Sequence, residues 1–103
     1  MYGVIRTVPA PIETYDAVHA EMLRHAEDVL PAGIHLHVAR AVADGFQIIE
    51  VWESKDVHDQ AMAQVVAPVV TEVSGSALPA VEAGVEEFEV RGLVIPPTAG
   101  VLV

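Results

Sequence analysis

Residues 33–54 read GIHLHVARAVADGFQIIEVWES, and the fold follows from this stretch. Two apolar, β-branched runs flank Asp44-Gly45. Asp-Gly between such runs signals a hairpin, because a tight type I′ turn needs positive φ at both central residues. The spacing predicts one strand from about Ile34 to Ala43 and another from Phe46 to Glu53. A loop of Asp44 and Gly45 sets Ala43 opposite Phe46, Ala41 opposite Ile48, Ala39 opposite Glu50 and His37 opposite Trp52. Side chains alternate across a strand, so these residues share one sheet face. The other face takes Ile34, Leu36, Val38, Arg40 and Val42 with Gln47, Ile49 and Val51. Both faces are largely apolar, which predicts that both are covered.

Upstream, Tyr2 to Val8 reads as a strand closed by Pro9-Ala10-Pro11, since proline cannot donate to a ladder. From Ile12 to about Leu30, Ile12, Tyr15, His19, Met22, Ala26 and Val29 recur at steps of three and four, the stripe of an amphipathic helix. Pro31-Ala32-Gly33 stops it. Downstream, Ser54 is a good N-cap for a second helix. Its buried stripe is Val57, Ala61, Met62, Val65 and Val66, and Pro68 is expected to break or kink it. Ser74 to Gly84 reads as a loop. Val85 to about Arg91 reads as the last strand, with Gly92 to Ile95 as an extension and Pro96-Pro97 as its end.

The order is β-α-β-β-α-β, an α+β ferredoxin-like fold with an antiparallel sheet and two helices on one face. Residues 1–95 form this single domain, and 96–103 form an apolar tail expected to dock on a partner or fray. The apolar sheet face away from the helices predicts a homodimer packed sheet to sheet.

Charge narrows the function. Fifteen acidic residues stand against five Lys and Arg among 103 residues, a net charge of −10. The cations Arg6, Arg24, Arg40, Lys55 and Arg91 are scattered, so no basic footprint for nucleic acid or an anionic membrane exists. The absence of cysteine excludes a thiol nucleophile and a thiolate metal site. No apolar run approaches the ~20 residues that span a bilayer. No secretory signal pattern is visible either, and a cytoplasmic location is the expectation.

The helix-facing surface of the hairpin carries the chemistry. His37, Glu50 and Trp52 fall on it, and the stripe bearing Tyr15 and His19 must cover it. Two imidazoles and a carboxylate in one layer cost desolvation unless they serve each other or a cavity. Imidazole is the base suited to a phenolic or enolic proton near neutral pH. His37 and His19 are therefore candidate bases, and Glu50 either orients one of them or acts as a base itself. Trp52 reads as a core aromatic or as the wall of a planar-ligand pocket, with Tyr15 at its mouth. His35 and His37 form H-x-H, which places both rings on one side and brings His35 into the binding set. That spacing also occurs in metal sites, with His19 as a third ligand, but it has little specificity and no metal is expected. His25 and His58 are expected in solvent. Nucleotide fingerprints, a nucleophile elbow and zinc-protease spacing are absent, and no cofactor is expected.

The run Gly45-Phe46-Gln47-Ile48-Ile49-Glu50-Val51-Trp52-Glu53-Ser54, with Tyr15-Asp16-Ala17, His37 and Phe88-Glu89-Val90, resembles the dimeric α+β-barrel superfamily. Within it, the chain resembles the antibiotic-biosynthesis-monooxygenase-like group, over about residues 2–92. The resemblance implies cofactor-independent oxygenation of an aromatic or polyketide-like hydrophobic molecule between sheet and helices. In the oxygenases of that group a tryptophan on the third strand faces the cleft, and Trp52 is similar in placement. The group also holds haem-degrading enzymes, whose first-strand asparagine has no match in Tyr2 to Val8. The expectation is a homodimeric monooxygenase-like enzyme, with His37, His19 and Glu50 catalytic and Trp52, Tyr15 and His35 contacting substrate. A polyketide cyclase or isomerase and a non-catalytic ligand-binding or assembly protein are the alternatives.

Overall fold

The computed structural model describes residues 1–24, 33–74 and 84–96. Its elements are β1 (Tyr2–Val8), α1 (Ile12–Arg24), β2 (Ile34–Val42), β3 (Gly45–Trp52), α2 (Lys55–Ala61), a π turn (Met62–Val66), α3 (Ala67–Ser74) and β4 (Gly84–Glu89). The four strands form one antiparallel sheet in the order β2-β3-β1-β4. This is the expected α+β ferredoxin-like arrangement. No helix among the described residues is long and apolar enough to cross a membrane.

Pairing of β1 with β3 places Tyr2 opposite Trp52, Val4 opposite Glu50 and Arg6 opposite Ile48. Alternation then aims Tyr2, Val4 and Arg6 at the helices together with Glu50 and Trp52. Val4, Trp52 and Ala61 form the buried core, and Tyr2, Ile34, Val57 and Met62 pack around it.

The hairpin closes one residue earlier than the sequence suggested. Val42 pairs with Gly45, so Ala43 and Asp44 are the turn. Neither has positive φ, which excludes the type I′ turn. Gly45 serves a close approach instead, because a Cβ there would collide with the carbonyl oxygen of Val8. His37 consequently lies opposite Glu50 rather than Trp52, Ala39 opposite Ile48 and Ala41 opposite Phe46. The displacement is two positions along β3, and an even displacement leaves every one of these side chains on its expected face.

A second departure lies at the start of β2. Ile34 pairs with Trp52 and Leu36 with Val51, so His35 is the extra residue of a bulge. The bulge turns Ile34 from the outer face, where it was expected, into the core around Trp52. It also separates His35 from His37, and His35 Nε2 meets Glu53 Oε2 at 3.1 Å.

Ser54 caps α2 as expected, its Oγ accepting from the Val57 N–H at 3.2 Å. Pro68 does not break the helical run. A proline ring meets the carbonyl four residues back, here Gln64. The π turn just before it, with the Ala67 N–H donating to Met62 O, widens the backbone at that point and accommodates the ring. β4 ends at Glu89, short of Arg91, and Gly92 to Ile95 is not a strand. The expected helix residues Ala26, Val29 and Leu30, the Pro31-Ala32 stop, most of the Ser74–Gly84 loop and the Thr98–Val103 tail lie outside the described residues.

On the outer face, Leu36, Val51, Gly3 and Phe88 form one row across all four strands. The Phe88 ring lies over Gly3, so a Cβ at that position would displace the ring. Leu36, Val38 and Phe88 are exposed.

Candidate functional site

Glu50 is the centre of the polar cluster. β3 delivers it to the helix-facing side, where it is only 4% exposed. A buried carboxylate is tolerated only with donors around it. His37, its cross-strand neighbour, brings Nδ1 to 2.7 Å from Oε2. The Trp52 indole N–H donates to Oε1 at 3.3 Å, and Arg6 Nη1 stands 3.8 Å from the same oxygen.

This geometry assigns the histidine tautomer. A carboxylate only accepts, so a neutral His37 carries its proton on Nδ1, facing Glu50, and keeps a lone pair on Nε2. That lone pair meets the Tyr15 hydroxyl at 2.6 Å, and the hydroxyl donates. The hydroxyl also lies 3.4 Å from His19 Nδ1. Burial first, then the negative charge of Glu50 and Asp16, holds the Tyr15 hydroxyl above the ordinary tyrosine value. Tyr15 is therefore a neutral donor near neutral pH.

The three rings are close to parallel. Tyr15 stacks on His19 at 5.3 Å and on His37 at 5.9 Å, each at 17°. The two imidazoles are 3° from parallel at 6.4 Å. Phe46 tilts against Tyr15 at 5.6 Å and backs the stack. The spacing of Tyr15 and His19, one helical turn apart on α1, produces this alignment. The His37 side chain is 34% exposed and is where the cluster meets solvent.

Five of the six residues expected from sequence thus converge: Tyr15, His19, His37, Glu50 and Trp52. His35 does not join them, because the bulge commits it to Glu53. Trp52 has no exposed surface; its ring meets His58 edge-on at 5.4 Å and 82°, and its N–H serves Glu50. Arg6 and His58 were missed. His58, expected in solvent, is buried and accepts a hydrogen bond from Arg6 Nη2. Signals for both exist in the sequence. Arg6 shares its parity with Val4 and Val8 in a strand whose neighbours are apolar, and His58 lies between Val57 and Ala61 of the α2 stripe.

Among the described residues no group of three or more His, Cys, Asp or Glu is placed to hold a metal. Two open depressions lie away from the cluster. One, of about 470 Å³, is bordered by Tyr2, Glu53, Lys55, Glu87 and Phe88. The other, of about 400 Å³, lies between Pro9–Ile12 and Ala41–Gly45. In the first, burial and the adjacent Glu87 carboxylate push the Tyr2 hydroxyl up to about 12.

Solved structures share this architecture. A protein of unknown function from Nitrosomonas europaea superposes with a TM-score of 0.65 at 14% identity, over 96% of this chain and 95% of that one. A protein from Chloroflexus aurantiacus, provisionally assigned as an antibiotic biosynthesis monooxygenase, does so at 0.56 and 24%, over 92% and 98%. A heme-degrading protein from Mycobacterium tuberculosis gives 0.52 and 20%, over 91% and 99%. The chain therefore has the fold shared by antibiotic-biosynthesis-monooxygenase-type proteins and a heme degrader. No protein-family model matches it, and no curated protein sequence does.

Proposed function

We propose that this protein is a cofactor-independent, monooxygenase-like enzyme that deprotonates a phenolic or enolic group on an aromatic or polyketide-like hydrophobic molecule, with His37 as the base. One observation carries this reading: a hydroxyl, that of Tyr15, already occupies the position at His37 Nε2 from which a substrate hydroxyl would give up its proton. A substrate hydroxyl seated there would donate to Nε2. The Glu50 carboxyl, beside Arg6 and Trp52, would hold the resulting imidazolium at Nδ1. Tyr15 and His19 present near-parallel rings against which a planar substrate would stack. The electron-rich anion would then react with O₂, phenol and O₂ giving quinone and water. The fold likeness to proteins named as monooxygenases supports the same direction.

Oxygen uptake tests this. With a reactive phenolic or enolic polyketide-like substrate, the purified protein is expected to consume one O₂ per substrate converted. Product formed as fast without oxygen would reject oxygenation and leave the same base acting in a cyclisation or isomerisation. No conversion of any such substrate would favour a non-catalytic binding role.

The proposal includes a homodimer through the outer sheet face, where Leu36, Val38 and Phe88 are exposed on neighbouring rows. Val38→Glu places a charge on that face beside Ile49. Sedimentation velocity is expected to show a dimer for the wild type and a monomer for this variant. A dimer that survives the charge would move the interface elsewhere.

A further inference from the structure

Arg6, which pairs with Glu50, is itself held by residues that the proposed chemistry does not use. Its Nη2 donates to His58 Nε2, and its Nη1 lies 3.2 Å from Met62 Sδ. A guanidinium has donors only. His58 must therefore present a bare Nε2, and its ring proton lies on Nδ1, which donates to Asp59 Oδ1 at 2.9 Å. That bond, first among the causes, holds the exposed Asp59 carboxyl below the usual carboxylate range, so Asp59 is an anion near neutral pH. The His58 ring is packed between the Tyr2 ring at 5.1 Å and the Trp52 edge at 5.4 Å, which fixes its orientation. A clamp thus runs from Asp59 on the surface through His58 and Arg6 to buried Glu50.

We infer that His58 and Asp59 are positioning residues that act through Arg6, holding Glu50 Oε1 so that Oε2 is aimed at His37 Nδ1. The consequence is which nitrogen of His37 carries the proton. With Trp52 bonded to Oε1 and Arg6 paired with the same oxygen at 3.8 Å, Oε2 is left for His37. A released Arg6 swings toward Oε2 and competes with the imidazole for it. A neutral imidazole that loses its acceptor at Nδ1 moves part of its population to the Nε2–H form. That form has its proton on the nitrogen that must be bare to receive one. The bearing on catalysis rests on His37 as the base; the effect on the tautomer does not.

The test reads the tautomer directly. Imidazole ¹⁵N shifts distinguish a protonated from a bare ring nitrogen, and are measured on the labelled full chain in mildly alkaline buffer. The wild type is expected to show His37 with its proton on Nδ1 alone. His58→Leu is expected to show a mixture of the two forms, with kcat about 10-fold lower at unchanged KM, the scale of losing an outer partner of a functional histidine. His58→Gln keeps an oxygen for Arg6 and an amide N–H for Asp59, and is expected to restore the wild-type signature. Asp59→Ala alters only an exposed position and is expected to give a smaller change of the same sign. An unmixed Nδ1–H signature in His58→Leu overturns the inference. If that variant does not fold, the same signature in Asp59→Ala overturns it. Should His37→Gln retain full turnover while the tautomer still answers to His58, the clamp stands and the assignment of the base fails.

Discussion

His37→Gln is expected to lower turnover by about 10²–10⁴-fold, the range a positioned general base contributes, while the fold stays intact. The substitution isolates the proton transfer. Glutamine keeps an amide N–H that can donate to Glu50, so the buried carboxylate is not stripped of its cross-strand donor. It has no basic nitrogen to face Tyr15 or a substrate. The position is on an edge strand and partly open to solvent, so little packing is lost. The stacked rings of Tyr15 and His19 and the Phe46 ring behind them stay in place, so under the proposed reading the loss is expected in kcat with KM nearly unchanged. Steady-state kinetics with the substrate that supports oxygen uptake makes the comparison. Turnover within a factor of two or so of wild type would remove His37 as the base and direct attention to His19.

The largest effect on stability is expected at Trp52. Trp52→Ala removes a side chain with no exposed surface from the centre of the core formed with Val4 and Ala61. Large-to-small changes of this kind cost about 3–5 kcal/mol, against about 5–15 kcal/mol for a whole domain. The loss is compounded because Glu50 is deprived of a donor at Oε1. Trp52→Phe separates the two contributions. It keeps most of the ring volume and loses the N–H, for an expected cost of about 1–3 kcal/mol. Urea unfolding followed by far-ultraviolet circular dichroism measures both. If Trp52→Phe proved as damaging as Trp52→Ala, the hydrogen bond to Glu50 would outweigh the packing.

The fold could be read from sequence because its signals are periodic. Alternation in residues 34–52 and the stripe of Ile12, Tyr15, His19 and Met22 each define a face without naming exact partners. Face assignment survives an even displacement, so placing the turn one residue late did not disturb the grouping of His37, Glu50 and Trp52. The bulge had no comparable signal. His35 is displaced by how β2 meets the end of β3, which local residue preferences do not encode; the bulge took Ile34 to the side opposite that expected and left His35 to Glu53. Arg6 and His58 were legible in principle. Each sits at a core-facing position, but a polar residue weighed singly reads as surface. Their burial makes sense only as a pair, with the guanidinium between His58 and Glu50.

The bulge at His35 has a consequence for assembly. β2 is an outermost strand of the sheet. A regular outermost strand offers a row of backbone groups to any further strand, which is how sheets grow into fibres. Here the first turn of that row is broken by the extra residue at His35, and Arg40 stands farther along the same strand. A strand arriving from another molecule would find neither an even ladder nor a neutral border. Addition at the β2 border, which has no natural end, is disfavoured, whereas in the proposed face-to-face dimer a second copy would complete the set.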